Sequence, residues 1–512
     1  MCASRQALLP LVAAAALGAT AALAGTPEIC AADGGWQEGS PRGPPAVSEY
    51  LGSLGQAQFD LRAACARWAG TYSRRQEEDP AQVSAASLPA ARLILFPSSS
   101  LNLRQLAVWL SRSPQVQSIE RASHFVVAEF ARNASTRELR EILDAPQVEY
   151  FEPDCDGPDF LTTSQAVAAD PRTGNECWRR DARDTFPNDP CMEELWGHAK
   201  IGWDSSIAAH SLPRLIAVLD SGIDAQHADL ARSVVLNVEL DEPANSLASR
   251  LNSQCATSGR CYPHGTQMAG TIAGRMNNGV GIAGVAPNSR LVPIVISQVD
   301  RGLLARLSTI AEGIDAATAA NVDVINISAK WPVDSRAISQ AVQRAVAGSS
   351  LGKRLLVTGY TSTLQYDETL REYYPSRYRC LSGVIAAVPT DMRGRDLFNP
   401  KGHPDVSDGR IQAPGVDIVV ATIENSAESY ALSEAAGPST AAAYVSGAIA
   451  LIWGSPPLDQ CGAQEIKQLL FCRSKSSASS RYPWINVDFL GELSKVEAGA
   501  NCHAALEALG CL

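Results

Sequence analysis

Three short segments, far apart in the chain, place an aspartate, a histidine and a serine in settings that suit nucleophilic catalysis. They are Leu215-Ile-Ala-Val-Leu-Asp220-Ser-Gly-Ile-Asp224, His264-Gly-Thr-Gln-Met-Ala-Gly270-Thr, and Gly437-Pro-Ser439-Thr-Ala-Ala-Ala-Tyr-Val-Ser-Gly447. A serine hydroxyl attacks a carbonyl poorly until a neighbouring imidazole takes its proton, and a buried carboxylate that fixes the imidazole's tautomer improves the base. Each residue alone has an ordinary explanation. Asp220 ends an apolar run before a turn, His264 opens a helical pattern, and Ser439 precedes a small-residue run where serines commonly cap helices. The three contexts and their order together point to a triad.

The chain resembles the subtilisin-like serine peptidases in six ordered places. Asp220-Ser-Gly-Ile-Asp224 with His227 and Asp229-Leu230 is similar to that family's aspartate motif. His264-Gly-Thr with Ala269-Gly270-Thr, then Asn277-Asn278-Gly and Gly284-Val-Ala-Pro287, is similar to its histidine motif and the loop after it. Asp323-Val-Ile-Asn-Ile-Ser328 resembles the substrate-lining strand, and Ala413-Pro-Gly415 the turn before the nucleophile. The resemblance runs from Asn188-Asp-Pro190 to near the C-terminus. It implies a serine endopeptidase acting on peptides or proteins through an acyl-enzyme, with no cofactor needed for the chemistry. Ser439 is then the nucleophile, His264 the general base and later acid, and Asp220 its orienter.

The elements that must hold these residues follow from apolar patterning. After residue 188, the runs Leu215–Leu219, Leu291–Ile296, Val322–Ile327, Arg354–Thr358 and Gly383–Val388 alternate with helical stretches Leu304–Ala320 and Ala337–Ala347. This predicts an α/β fold, a mostly parallel sheet with helices on both faces, as a peptidase domain over 188–512. Catalytic groups then belong at the carboxyl ends of strands, where Asp220 lies. A small α+β domain over 89–155 precedes it, with strands at Arg92–Phe96, His124–Phe130 and Gln147–Pro153 and a helix over Asn102–Arg112. Its second helix opens at Ser135 with Glu138 three residues on, a capping-box pattern. The order of elements and the ending Val148-Glu-Tyr-Phe-Glu152-Pro resemble the family's inhibitory propeptide, which makes the protein's own propeptide an expected partner. Residues 156–187 read as a linker and processing region, basic around Trp178-Arg-Arg-Asp-Ala-Arg183. Residues 25–88 hold a helical patch over Phe59–Trp68 and suggest no function.

Residues 1–24 combine Arg5, an Ala/Leu-rich run and the ending Ala22-Leu-Ala24, the pattern of a cleaved secretory signal. No later stretch reaches membrane-spanning length without charges. The expectation is a secreted or periplasmic protein with no membrane partner once the signal is removed. Thirteen cysteines agree, since Cys2 leaves with the signal and an even number remains. Close spacing suggests Cys255–Cys261, Cys461–Cys472 and Cys502–Cys511 as local bridges. No CxxC pair occurs, which argues against zinc, and a net charge of −11 without a long basic run argues against nucleic acid.

Several residues depart from the family pattern. An asparagine normally donates to the oxyanion from the strand end that here reads Leu355-Leu-Val-Thr-Gly359-Tyr360, so Tyr360 stands in its place and Thr361 follows. Lys330 replaces a glycine of the substrate strand, putting a cation beside Ser328. Pro438, Ala442-Ala443-Tyr444 and Gln267 replace a threonine, a Ser-Pro-His and a second histidine. The resemblance also implies a structural calcium held by Asp229, Asn278 and carbonyls near Val280 and Ile282, oxygen ligands of the kind calcium takes. These departures keep two other readings open: a binding protein of low or no activity on the same fold, and an esterase or peptide ligase using the same triad.

Overall fold

The computed structural model describes residues 42–54, 59–69, 91–155, 177, 180–235, 263–298, 304–347, 354–364, 370–397, 409–424, 427–433, 437–476, 482–497 and 499–512. The signal peptide, Cys255, Cys261 and most of the 156–187 linker lie outside these residues.

The N-terminal unit opens with α1 (Pro45–Ser53) and α2 (Leu61–Trp68). There follow β1 (Arg92–Pro97), α3 (Leu103–Leu110), β2 (Val116–Arg121), β3 (Val126–Phe130), α4 (Thr136–Leu143) and β4 (Val148–Pro153). The strands form one sheet in the order β2-β3-β1-β4, with every pairing antiparallel, the split β-α-β-β-α-β arrangement. The expected capping box is present: Ser135 Oγ accepts the Glu138 N–H, and the Glu138 carboxylate accepts the Ser135 N–H. β2 was not predicted. It is an edge strand whose Gln117, Ser118 and Arg121 are exposed, so no apolar run marks it. Part of the 25–88 segment belongs to this unit, because Phe151 N–H donates to the Arg42 carbonyl and Cys65 is bonded to Cys155.

The larger unit begins with α5 (Trp196–Ile201), α6 (Ser205–His210), β5 (Leu215–Asp220), α7 (His264–Ala273) and β6 (Arg290–Val295). A short ribbon, β7 (Ser297–Gln298) with β8 (Leu304–Ala305), leads to α8 (Leu307–Ala319), β9 (Val324–Ile327), α9 (Arg336–Ala347) and β10 (Leu355–Gly359). Next come the hairpin β11 (Ser362–Leu364) with β12 (Leu370–Glu372), then β13 (Val384–Thr390) and β14 (Arg410–Pro414). The hairpin β15 (Ile418–Glu424) with β16 (Ala427–Ser433) precedes α10 (Gly437–Trp453), α11 (Ala463–Cys472) and α12 (Cys502–Ala508). Six strands form a parallel sheet ordered β14-β13-β10-β9-β5-β6. Both faces are covered, as the continuous apolar runs require. Ile216 and Val218 join the core formed with Ile272, Val445 and Ile449 of α7 and α10, whereas Ala217 and Leu219 join Ile310, Ile314 and Ala341 of α8 and α9. Strand order reverses at β5, whose neighbours are β6 and β9, so Asp220 stands at the switch point, the place where sheets of this kind bind their ligands.

The N-terminal unit docks on the α8–α9 side, and its apolar core is continuous with the core beneath those helices. Charged contacts fix the register. Asp154 accepts from the Ser308 N–H (3.0 Å) and hydroxyl (2.8 Å) in the first turn of α8. Glu152 accepts from Ser335 Oγ (2.7 Å) and the Arg336 and Ala337 N–H groups at the start of α9. In return, Glu312 of α8 accepts the N–H and hydroxyl of Ser123. Arg336 lies over the Phe96 and Tyr150 rings and pairs with Glu149. Helix N-termini attract carboxylates because their first amides have no intrahelical acceptor.

The bridges suggested by spacing in the C-terminal region are corrected. Cys461 is bonded to Cys502, and Cys472 to Cys511. Cys461 and Cys472 flank the full length of α11, roughly 15 Å at 1.5 Å per residue, and a disulfide needs Cα atoms within about 7 Å. Cys177 is bonded to Cys191. Cys155 precedes the linker and Cys177 lies within it, so neither bridge crosses residues 156–176.

Because Arg92 is buried against Asp154 (2.7 Å), Asp154→Ala removes a helix cap and leaves a guanidinium short of a partner. The expected loss is about 3 kcal/mol, read as a lower denaturant midpoint for the full chain. Asp154→Asn should lose clearly less, since it can still accept from Ser308.

Candidate active site

Asp220 closes β5, and its carboxylate turns back to accept the Ser221 N–H at 2.7 Å. His264 is the first residue of α7, and its Nδ1 lies 2.8 and 2.9 Å from the two Asp220 carboxylate oxygens. A ring nitrogen placed between two acceptors carries the proton, which leaves Nε2 with the lone pair of a base. The approach is tight. A Cβ on Gly265 would lie 2.2 Å from the Gly222 carbonyl oxygen, so only glycine lets the helix start against the turn that carries Asp220. Two hydrogen bonds staple the helix there: Gly265 N–H to Ser221 Oγ (3.1 Å) and Asp224 N–H to Thr266 Oγ1 (3.0 Å).

Ser439 lies in the first turn of α10, and its hydroxyl donates to the Ser328 carbonyl at 3.4 Å. Ser328 follows β9 directly. Asp220, His264 and Ser439 are 6, 1 and 4% exposed, at the end of β5, the start of α7 and the first turn of α10. Behind the nucleophile, the Tyr444 hydroxyl lies 3.1 Å from His198 Nδ1. Burial pushes His198 down to about 4 and Tyr444 upward, so both are neutral and act as packing partners. His198 had no sequence signal. Gln267, where the family has a second histidine, donates to Thr422 Oγ1.

Tyr360 goes elsewhere than the oxyanion position expected of it. Its hydroxyl donates to Glu372 (2.9 Å) and accepts from Arg410 (3.2 Å), and its ring packs with Tyr482, Ala386 and Val388. Burial first, then the Glu372 charge, raise its pKa, so it stays a neutral phenol. Arg410 is wholly buried and its guanidinium lies over both the Tyr360 and Tyr482 rings, while Glu372 also pairs with Arg379. A phenol fits between these groups where an amide would leave space.

Lys330 is half-buried on the segment leaving Ser328, with Nζ 4.9 Å above the Tyr373 ring. Burial lowers its pKa, and no carboxylate pairs with it among the described residues. Trp331 and Tyr374 exchange backbone hydrogen bonds (2.9 Å each), so Tyr373 is held across from Lys330.

The groups suggested for calcium do not fit a cation. Asp229 Oδ1 accepts the Asn278 amide (2.8 Å), and its Oδ2 accepts the Ile282 N–H (3.0 Å) and the Tyr430 hydroxyl (2.9 Å). Asn278 Oδ1 accepts the Val280 N–H. Asp189, a second buried carboxylate, accepts the Asn277 and Asn278 N–H groups. Both carboxylates are thus turned toward hydrogen-bond donors, whereas calcium requires converging oxygens. Tyr430, from β16, is edge-on to His227 and fills the site from the hairpin side.

Comparison with known proteins shows the family of the chain. The model of the Subtilase family matches residues 214–482. Subtilisin from Bacillus pumilus is 32% identical over 246 residues, 47% of this chain and 77% of that protein. Subtilisin E from Bacillus subtilis (strain 168) is 32% identical over 246 residues, 47% of this chain and 56% of that protein. Of solved structures, fervidolysin from Fervidobacterium pennivorans has a TM-score of 0.58 at 20% identity, covering 79% of this chain and 61% of its own. The epidermin leader peptide processing serine protease of Staphylococcus aureus has a TM-score of 0.54 at 16% identity, covering 80% and 100%. At those identities the two structures show a shared fold.

If Tyr430 and Asn278 hold Asp229 in place of a metal, a chelator should leave the melting temperature unchanged and added calcium should not raise it. Tyr430→Phe should cost about 1–3 kcal/mol, the usual cost of leaving a buried acceptor short of its donor. Calorimetry of both proteins with and without chelator checks this; a chelator-induced drop in the wild type, reversed by calcium, is the contrary result.

Proposed function

Since the chain belongs to the subtilase family of serine endopeptidases, we propose that it is an exported peptidase working through Asp220, His264 and Ser439. The observation that carries this reading is the 2.8 Å pairing of His264 Nδ1 with Asp220 at the carboxyl end of β5; Ser439, in the first turn of α10, meets the Ser328 carbonyl just beyond the neighbouring strand β9. His264 Nε2 takes the Ser439 proton as Oγ bonds to the scissile carbonyl carbon. The carbonyl π pair moves onto oxygen, where the first-turn amides of α10 point. The C–N bond then breaks as His264 returns the proton to the departing amine, leaving an acyl-enzyme. Water repeats the sequence with the same base and frees the acid. Asp220 keeps the ring oriented and stabilises its cationic form.

The 89–155 unit is its own inhibitor in this reading, released after cleavage within 156–187. Support comes from its docking through Glu152 and Asp154 and from the disulfide pattern, since neither Cys65–Cys155 nor Cys177–Cys191 crosses residues 156–176, the first part of that segment. Residues 1–24 act as the signal that directs the chain to the outside or the periplasm.

A fluorophosphonate probe tests the triad: purified, processed protein should be labelled and Ser439→Ala should not. Absence of labelling in the wild type would instead favour a binding protein on this fold. The same pair of proteins reports processing. Under reducing conditions the wild type should run as separate N-terminal and peptidase fragments, while Ser439→Ala stays in one piece.

Lys330 gives an expectation about substrates. An ammonium without a carboxylate partner among the described residues, two residues from the carbonyl that meets Ser439, favours acidic side chains next to the cleaved bond. A peptide library should show that preference in the wild type and lose it in Lys330→Gly; matching profiles would place Lys330 outside the substrate cleft.

A further inference from the structure

We propose that the Thr361 hydroxyl supplies the second hydrogen bond to the oxyanion, the role the family gives to an asparagine and which Tyr360 does not fill. This rests on the peptidase reading above and names a residue for it.

The geometry follows from alternation along the strand end. A Cβ on Gly359 would lie 2.5 Å from the carbonyl oxygen of Pro438, the residue before Ser439. That face of the chain therefore abuts the nucleophile's segment, and only glycine allows the approach. Tyr360 points the opposite way, into the group formed with Arg410, Glu372 and Tyr482. β10 ends at Gly359, but the Tyr360 N–H still donates to the Ala387 carbonyl of β13 (2.7 Å), so the strand pairing carries on through residue 360, and period-two alternation from there places Thr361 on the Gly359 face. Thr361 is 4% exposed, and its hydroxyl has no hydrogen-bond partner among the described residues. Buried hydroxyls are rarely left so, and those that are call for a reason such as a catalytic role. Its backbone is anchored, because the Thr361 carbonyl accepts the Tyr373 N–H (3.3 Å) where the β11–β12 hairpin closes.

The function of Tyr360 is then to fix this loop. Its hydroxyl is held by Glu372 at the end of that hairpin and by Arg410 of β14, on the side away from Ser439. As Ser439 Oγ bonds to the carbonyl carbon and the π pair moves to oxygen, Thr361 O–H donates a hydrogen bond to that oxygen and keeps its proton. The transferred proton goes to His264 throughout, so atoms and charge balance without any further reactant.

The test compares Thr361→Val, Thr361→Ala, Thr361→Ser and Tyr360→Phe in the full chain after processing. Turnover of a peptide anilide and the rate of fluorophosphonate labelling are read beside thermal unfolding. Thr361→Val and Thr361→Ala should lose roughly 10²–10³-fold in kcat with KM little changed, the range found when one such donor is removed from a subtilisin. Thr361→Ser should retain most turnover, and Tyr360→Phe should lower the unfolding temperature more than kcat. Folded Thr361→Val and Thr361→Ala proteins with wild-type kcat overturn the assignment, as does a large kcat loss confined to Tyr360→Phe. A wild type without Ser439-dependent turnover overturns the peptidase reading itself, which separates the two failures.

Discussion

An imidazole and a carboxylate shut away from water are stable together only if every polar atom has been given a partner. Asp220 and His264 come close to that condition: the Asp220 carboxylate is met by the Ser221 amide and by His264 Nδ1, beside the amino end of α7, whose dipole favours a nearby negative charge, and Nε2 is left to act as the base. Everything else in the larger unit is compatible with holding this pair. The parallel sheet brings β5 and β9 to one edge, Gly265 lets a helix begin where most residues would collide, and α10 delivers Ser439 to the carbonyl beyond β9.

The N-terminal unit answers a related demand at the opposite helices. The residue before α8, Arg306, provides no side-chain cap. Glu152 and Asp154 are two apart at the end of β4, so they leave the chain on the same face, and each serves one of the adjacent helix starts. Two carboxylates on one strand thereby cap two helices of the other unit, and the docked surface is specified by charge as well as by apolar fit.

Much of this was legible in the sequence because it depends on local patterns. The apolar runs gave five of the six strands of the parallel sheet within a residue or two, all but β14, and Ser135 with Glu138 marked a helix start that the structure reproduces. β2 was missed because an edge strand needs no apolar run. Pairings set by three-dimensional return of the chain were not readable: the cysteines around α11 bond across helices, and His198 meets Tyr444 from 246 residues away. Asp229 and Asn278, suggested as calcium ligands, do meet, but they bond to each other, and Tyr430, which also donates to Asp229, comes from a distant hairpin. The direction of Tyr360 was likewise invisible, since it depends on Arg410 and Glu372 being buried beside it.

That buried group constrains what position 360 can carry. Arg410 has no exposure at all and depends on Tyr360, Tyr482 and Glu372 for company. An asparagine at position 360 would shorten the side chain and strand a guanidinium in the interior, so the exchange costs stability whatever it does at the oxyanion. A hydrogen-bond donor is therefore easier to supply from the adjoining loop than from the ring's own position.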